Sequence, residues 1–255
     1  MQEIIVNSVP EFVECLGDVN RGKRALYRGQ RRDLHLLPKI ARLSTTLPVL
    51  EAEQAMLNNF KLLSVPYLKE KPANDWEWLA IMQHHGLATR LLDWSVIPLA
   101  ALWFTVCKPP AENQHGVIWL FQPNSEDYIS TFKHEVPFQI NKISLLQPRL
   151  ITERIKAQWG WFTAHYFDVD TGKFAALDTE AAYISRLTKL IIPPEKFALF
   201  RFQLDRLGVN SAELFPDLEG LCAHLEWLYT NLADEVHGSE KYDLQKVFMP
   251  LPKMN

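Results

Sequence analysis

Residues Met82 to Val106, "MQHHGLATRLLDWSVIPLAALWFTV", impose the tightest limit on how this chain can fold. The strongly apolar run from Val96 to Val106 is too short to span a bilayer, which takes about 20 residues. It must therefore be buried within protein. Directly ahead of it stand two histidines, Arg90 and Asp93. Polar groups beside a core are costly unless they are paired or serve a ligand. The segment thus marks either a buried polar network or a binding cleft.

The rest of the chain can supply the surrounding core. Of its 255 residues, 47% are apolar and 22% charged, the balance of a globular protein. The formal net charge of −3 excludes a global basic field of the kind that draws nucleic acid, though not a local patch. Cys15, Cys107 and Cys222 form no Cys-x-x-Cys pair, so neither a zinc knuckle nor a disulfide framework is expected. The N-terminal stretch "MQEIIVNSVPEFVECL" has no basic n-region followed by a sustained apolar core, and a cytoplasmic protein without membrane partners is expected.

Periodicity predicts a short helix after Ser8, with Phe12, Val13 and Leu16 on one face. "RALYRGQ" reads as a strand ending at Gly29. Val49, Ala52, Met56, Phe60 and Leu63 predict a helix over about 49–64, closed by Pro66. "DWEWLAIMQHHG" predicts another, with Asp75 as N-cap and Gly86 as its stop. "PLAALWFTV" suits a third helix or a buried segment. "HGVIWLFQP" and "KLIIPPEKFALFRFQL" carry the β-branched and aromatic runs of buried strands, and a C-terminal helix begins near Asp217. The fold class is α+β, a single domain.

Arg28 ends an apolar run. Its guanidinium is a planar fork suited to bidentate phosphate recognition, and Gly29 beside it would let a ligand approach the backbone. The competing reading is a strand-end ion pair with Asp93. His84 and His85 are adjacent, so on a helix they diverge by about 100°, and with no second ligand pair no metal site is expected. Either histidine could simply favour a helix C-terminus, or His84 could contact a ribose hydroxyl or a base. In an extended segment, Thr89, Leu91 and Asp93 face one side and Arg90, Leu92 and Trp94 the other. Gly-x-Ser-x-Gly, Walker and Gly-x-Gly-x-x-Gly loops are absent, which argues against serine-hydrolase, P-loop and Rossmann chemistry.

Tyr27-Arg28-Gly29-Gln30, then Leu37-Pro38-x-x-x-Arg42, then Gln83-His84-His85-Gly86-x-x-Thr89-Arg90-Leu91-Leu92-Asp93-Trp94, resemble the FRG domain family. The resemblance continues through Arg154-Ile155-x-Ala157-Gln158-x-Gly160-x-Phe162, and more loosely through Leu214-Phe215-Pro216-Asp217-Leu218-x-Gly220-Leu221. It implies a domain at 21–240, with a helical lead-in at 1–20 and a C-terminal tail at 241–255. An apolar strand ending in Tyr-Arg-Gly is also similar to the first strand of ADP-ribosyltransferases, whose arginine anchors the dinucleotide phosphates. Thr89 and the Arg154–Phe162 cluster follow in comparable order.

That second resemblance implies an ADP-ribosyltransferase-like mixed sheet with flanking helices. It also implies an NAD-dependent toxin or phage-defence effector that modifies a nucleic acid or protein. Arg28, His84, Thr89, Arg154 and Gln158 would be catalytic. Tyr27, Arg28, Gly29, Gln83, His84, Arg90 and Asp93 would hold NAD, the substrate. No metal is required, because nicotinamide departs neutral and placed dipoles can stabilise the ribosyl cation. An antitoxin or chaperone partner is implied, and an RNA or DNA acceptor is compatible. The reaction calls for a carboxylate that Gln158 cannot supply. Glu153 adjoins the motif, and Glu53 and Glu135 are further candidates. The alternative class is a non-catalytic nucleic-acid or nucleotide-binding sensor, and a third is an NAD-independent hydrolase. For nucleic acid, Arg21, Lys23 and Arg24 extend the basic "RGQRRD" stretch, with Trp159 and Trp161 as stacking surfaces.

Overall fold

Unbroken burial along Gly116–Phe121 marks a strand covered on both faces, and this strand, β4, is an interior strand of the sheet. The computed structural model describes residues 1–20, 24–68, 70–129, 136–147 and 160–235. Among these, β1 (Gln2–Ile5), β2 (Leu26–Gln30), β3 (Leu91–Ser95), β4, β5 (Ser144–Leu146), β6 (Gly160–Ala164) and β9 (Leu187–Ile192) form one seven-stranded sheet. Its order is β1-β9-β4-β2-β3-β6-β5. Only β1 and β9 pair in parallel, so the sheet is mixed. β7 (Phe167–Asp168) and β8 (Lys173–Phe174) make a separate ribbon.

Helices flank the sheet. α1 (Val9–Asn20), α4 (Pro98–Val106) and α6 (Phe197–Arg206) cover one face. Their core joins Phe12, Leu102 and Phe200 to Tyr27, Ile118 and Leu190. Across the sheet, Leu26, Leu92, Trp94, Trp119 and Phe121 pack with Leu36 and Tyr183, the latter from α5 (Ala181–Ile184). α2 (Val49–Leu63) and α3 (Asp75–His84) close on Leu91 and Phe162 with Leu57, Trp78 and Met82. α7 (Ser211–Leu214) and α8 (Leu218–Tyr229) end the described chain. No described helix is long and apolar enough to cross a membrane.

Several expectations change. Residues 1–5 contribute a strand, and Val6, Val9 and Phe12 share a core with Tyr27, so the first 20 residues are built into the sheet domain. Val13 lies on the exposed side of α1, and Val9 takes its place beside Phe12 and Leu16. Asn74, not Asp75, caps α3, because its side chain accepts the Glu77 N–H at 3.0 Å. Only the first part of "KLIIPPEKFALFRFQL" is strand. Beyond Pro193 and Pro194 the aromatic run is α6, whose spacing places Phe197, Phe200 and Leu204 on one buried face. Asp217 caps α8 by accepting the Gly220 N–H, as expected from position.

Gly29 is glycine because of α4. A Cβ there would lie 1.9 Å from the Ala101 carbonyl oxygen and 2.6 Å from Thr105 Oγ1. Helix-on-sheet packing thus requires its small size, and its backbone also lines the cleft described below. Gly29→Ala is expected to lower stability by about 1–3 kcal/mol, the usual cost of overpacking. Gly17→Ala, on the open side of α1, should leave it unchanged or raise it by about 0.5–1 kcal/mol. Urea unfolding of both variants checks this, and equal midpoints would contradict the packing argument.

Candidate functional site

β2 pairs with β4 along its whole length, yet with β3 it shares only the Tyr27–Ser95 register pair. Beyond that pair the two strands part. Arg28 occupies the gap and donates from Nη1 to the Asp93 carbonyl oxygen at 2.8 Å, with Asp93 Oδ2 at 3.7 Å. An open cleft of about 450 Å³ starts here. Arg28, Arg31, Arg32, Lys39 and Arg42 border it, and Asp93 is the carboxylate on its lining. So strong an excess of positive charge in one concavity suits an anion.

The walls are braced from behind. Asp178 accepts the Leu36 N–H and pairs with His35 Nδ1, both at 2.7 Å. Arg42 donates to the carbonyls of His35 at 2.6 Å and Leu37 at 3.2 Å. Lys39 Nζ donates to the carbonyl of Gly86, which takes the left-handed φ of +82° that ends α3. At the near end of the same loop, Asp33 Oδ2 accepts from Lys189 Nζ at 2.7 Å. The wall carrying Arg31 and Arg32 is therefore held at several points.

Arg28 itself is only partly neutralised. Its side chain is 22% exposed, and its Nε is buried with no hydrogen-bond partner. Burial pulls its pKa below the ordinary arginine value, against the opposing influence of Asp93, and the group stays cationic. Asp93 is oriented by a short chain of hydrogen bonds. The Leu91 N–H donates to Thr89 Oγ1, Thr89 Oγ1 donates to Gln83 Oε1, and Gln83 Nε2 donates to Asp93 Oδ2 at 2.9 Å. Gln83, Thr89, Asp93 and Arg28 thus act as one unit.

Arg90 is elsewhere. It is buried and forks onto buried Glu53, with Nη2 to Oε2 at 2.7 Å and Nε to both carboxylate oxygens. Its Nη1 donates to the Pro137 carbonyl, and its plane lies 4.4 Å from the Phe138 ring. The backbone N–H of Arg90 also donates to Glu53. Arg90 is therefore a structural cation outside the cleft lining, and Glu53 is its buried counter-ion. Tyr27 points into the core on the far face of the sheet. His84 and His85 stack edge to face at 4.9 Å at the end of α3, outside the cleft lining. Trp161 packs against the core and edge-on to Tyr128 at 5.6 Å, which removes it as a free stacking surface. Trp94 is core. Arg154, Gln158, Glu153, Glu135, Trp159, Arg21 and Lys23 lie outside the described residues.

Lys39 and Arg42 were not expected as site residues. Arg42 stands in the Leu37-Pro38-x-x-x-Arg42 motif, which signals it; Lys39 carries no sequence signal, because Gly86, which positions it, is distant in the chain. Another buried chain underlies β3 and β6. Trp94 Nε1 donates to Thr163 Oγ1, Thr163 Oγ1 donates to His165 Nε2, and His165 Nδ1 donates to the Ala175 carbonyl at 2.7 Å. That arrangement requires a neutral imidazole. Burial, aided by Arg28 and Arg42, lowers the His165 pKa to about 4 against the pull of the Ala175 carbonyl.

Residues 23–114 match the FRG domain family, and every lining residue of the cleft falls inside that stretch. The Arg154–Phe162 and Leu214–Leu221 motifs lie beyond it. No curated protein and no solved structure matches the chain significantly.

Two stability measurements test the interior of the site. Glu53→Gln, which leaves Arg90 buried and unpaired, is expected to cost about 3–5 kcal/mol in urea unfolding. An effect under about 1 kcal/mol would show that the pair is dispensable. The second concerns acid. His165 has a folded pKa of about 4, below the ordinary 6.5, so the unfolded chain takes up this proton more readily. Its contribution is complete above about pH 6.5 and falls away toward pH 4, on the order of 3 kcal/mol in all. A His165→Gln variant should lose that component of the stability–pH curve.

Proposed function

Taking the chain as an FRG-domain protein, we propose that the Arg28 cleft binds the phosphate groups of a nucleotide. The observation that carries this is Arg28 at the parting of β2 and β3, with a buried, unbonded Nε and four further cations around the same opening. A guanidinium fork suits phosphate oxygens, and a partly desolvated one gains more from them than a solvated one. The described residues that line this cleft include no aromatic ring. Recognition through phosphates therefore fits better than the base stacking typical of single-stranded nucleic-acid grooves.

A second reading, ADP-ribosyl transfer from NAD, is favoured by one feature of the same opening. Asp93 places a carboxylate, 54% exposed, beside Arg28 and oriented by Gln83. With the dinucleotide phosphates on Arg28, such a carboxylate could stabilise the ribosyl cation as the bond to nicotinamide breaks. Nicotinamide would leave with the bonding electron pair, and an acceptor nucleophile would take its place. Gln83 and Thr89 would then be positioning residues that act through Asp93. A toxin or phage-defence role, with an antitoxin or chaperone partner, follows from this second reading alone.

Calorimetric titration with ADP, NAD and a short single-stranded RNA separates the possibilities. Arg28→Ala is expected to weaken ADP and NAD binding by about 10- to 100-fold, the loss of one or two charge-assisted hydrogen bonds, in a variant that still unfolds cooperatively. Undiminished binding in the folded variant would reject the phosphate site. Nicotinamide release from NAD in the presence of RNA, DNA and protein acceptors tests the second reading. Binding without release leaves the first reading alone.

A further inference from the structure

A second cavity, of about 360 Å³, lies behind α4 between α6 and α8. It is on the other side of the sheet from Arg28, since α4 packs on the face that carries Tyr27 and Gly29. Its volume is at the lower end of the range for small-molecule sites. Trp103 and Trp227 line it, and the His224 ring stacks on Trp227 at 6.1 Å and 24°. The electrostatic centre is Asp205, whose side chain is only 9% exposed.

Structural duties account for half of that carboxylate. Asn210 caps α7 by accepting the N–H groups of Ala212 and Glu213, and its amide donates to Asp205 Oδ1 at 3.0 Å. His224 Nε2 faces the same Oδ1 at 3.7 Å. Asp205 Oδ2 accepts no hydrogen bond from a described residue. On the cavity wall, that oxygen keeps its lone pairs for a donor from a ligand or from water.

The cations on the lining do not turn the cavity into an anion site. Arg201 spends its donors on Glu235 at 3.0 Å, the Val106 carbonyl at 2.7 Å and Asp234 at 2.5 Å. That leaves Lys108 to meet an anion, whereas a cation meets Asp205 and Glu226 on a lining that includes two indoles, the best cation–π side chains. Cys107 also borders the cavity, and burial pushes its thiol up, away from the reactive thiolate.

We propose that this cavity is a second ligand site, taking a small primary ammonium ion with an apolar body: the N–H groups donate to Asp205 Oδ2 and the body packs on Trp103 and Trp227. The test titrates the full chain with phenethylammonium and with 2-phenylethanol, its neutral counterpart, by tryptophan fluorescence and calorimetry. Saturable binding of the amine is expected, at least about tenfold tighter than the alcohol. Asp205→Asn should remove that preference, and Arg28→Ala should leave it intact. Binding of amine and alcohol within twofold of each other, or no saturable amine binding up to the solubility of the probe, overturns the proposal. The comparison of the two probes in the unmodified chain decides the matter even if Asp205→Asn does not fold.

Discussion

A buried charge pair holds the central motif in place. Arg90 and Glu53 are both sealed from solvent, and removing either would strand the other as an unpaired buried charge. The pair ties α2 to the residue just before β3, and the Arg90 N–H is bound into the same carboxylate. It thereby fixes the direction in which the chain enters β3. Thr89, one residue earlier, is turned toward Gln83, and Asp93 is carried out to the surface beside Arg28. The motif's two charged residues have opposite fates for this reason: one anchors the motif and the other is presented by it.

The second constraint is the parting of β2 from β3. Adjacent antiparallel strands normally satisfy each other's backbone groups along their length. Here the ladder stops after Tyr27–Ser95, and the Arg28 side chain takes up the Asp93 carbonyl that the ladder leaves. The same departure opens the cleft. Arg28 is therefore a structural plug, through Nη1, that also lines the cleft and keeps a buried, unbonded Nε. The two readings of this arginine, ion pair or anion anchor, are compatible because a guanidinium has five N–H donors to divide.

Much of the helical structure is legible from the chain, because helix formation is a local matter. The three-to-four spacing in Val49–Leu63, the left-handed turn at Gly86 and the Asp217 cap all act within a few residues. The long apolar segment becomes α4, as its length demands. Errors arose where local signals compete. Asp75 and Asn74 are equally good caps by type, and only the backbone conformation at 74 selects one. The aromatic run after Pro194 has the composition of a strand and the spacing of a helix, and burial against α1 and α4 favours the spacing. At the site, Arg28 and Asp93 were legible as a pair; the destination of Arg90 was not, since its partner is 37 residues away.

Residue order and type alone settled the class of fold, the main helices, the pairing of Arg28 with Asp93 as one reading of its motif, and the absence of familiar nucleotide loops. They could do so because backbone propensity, capping and amphipathic spacing are short-range effects. Which polar side chains became buried braces and which came to border the open cleft was decided by packing. Glu53, Asp178, Gly86 and Lys189 each reach the site from a different element, and their influence depends on distances that exist only after the sheet has assembled. Electrostatic and hydrogen-bonding energies fall off within a few ångströms in space, with no regard to separation along the chain.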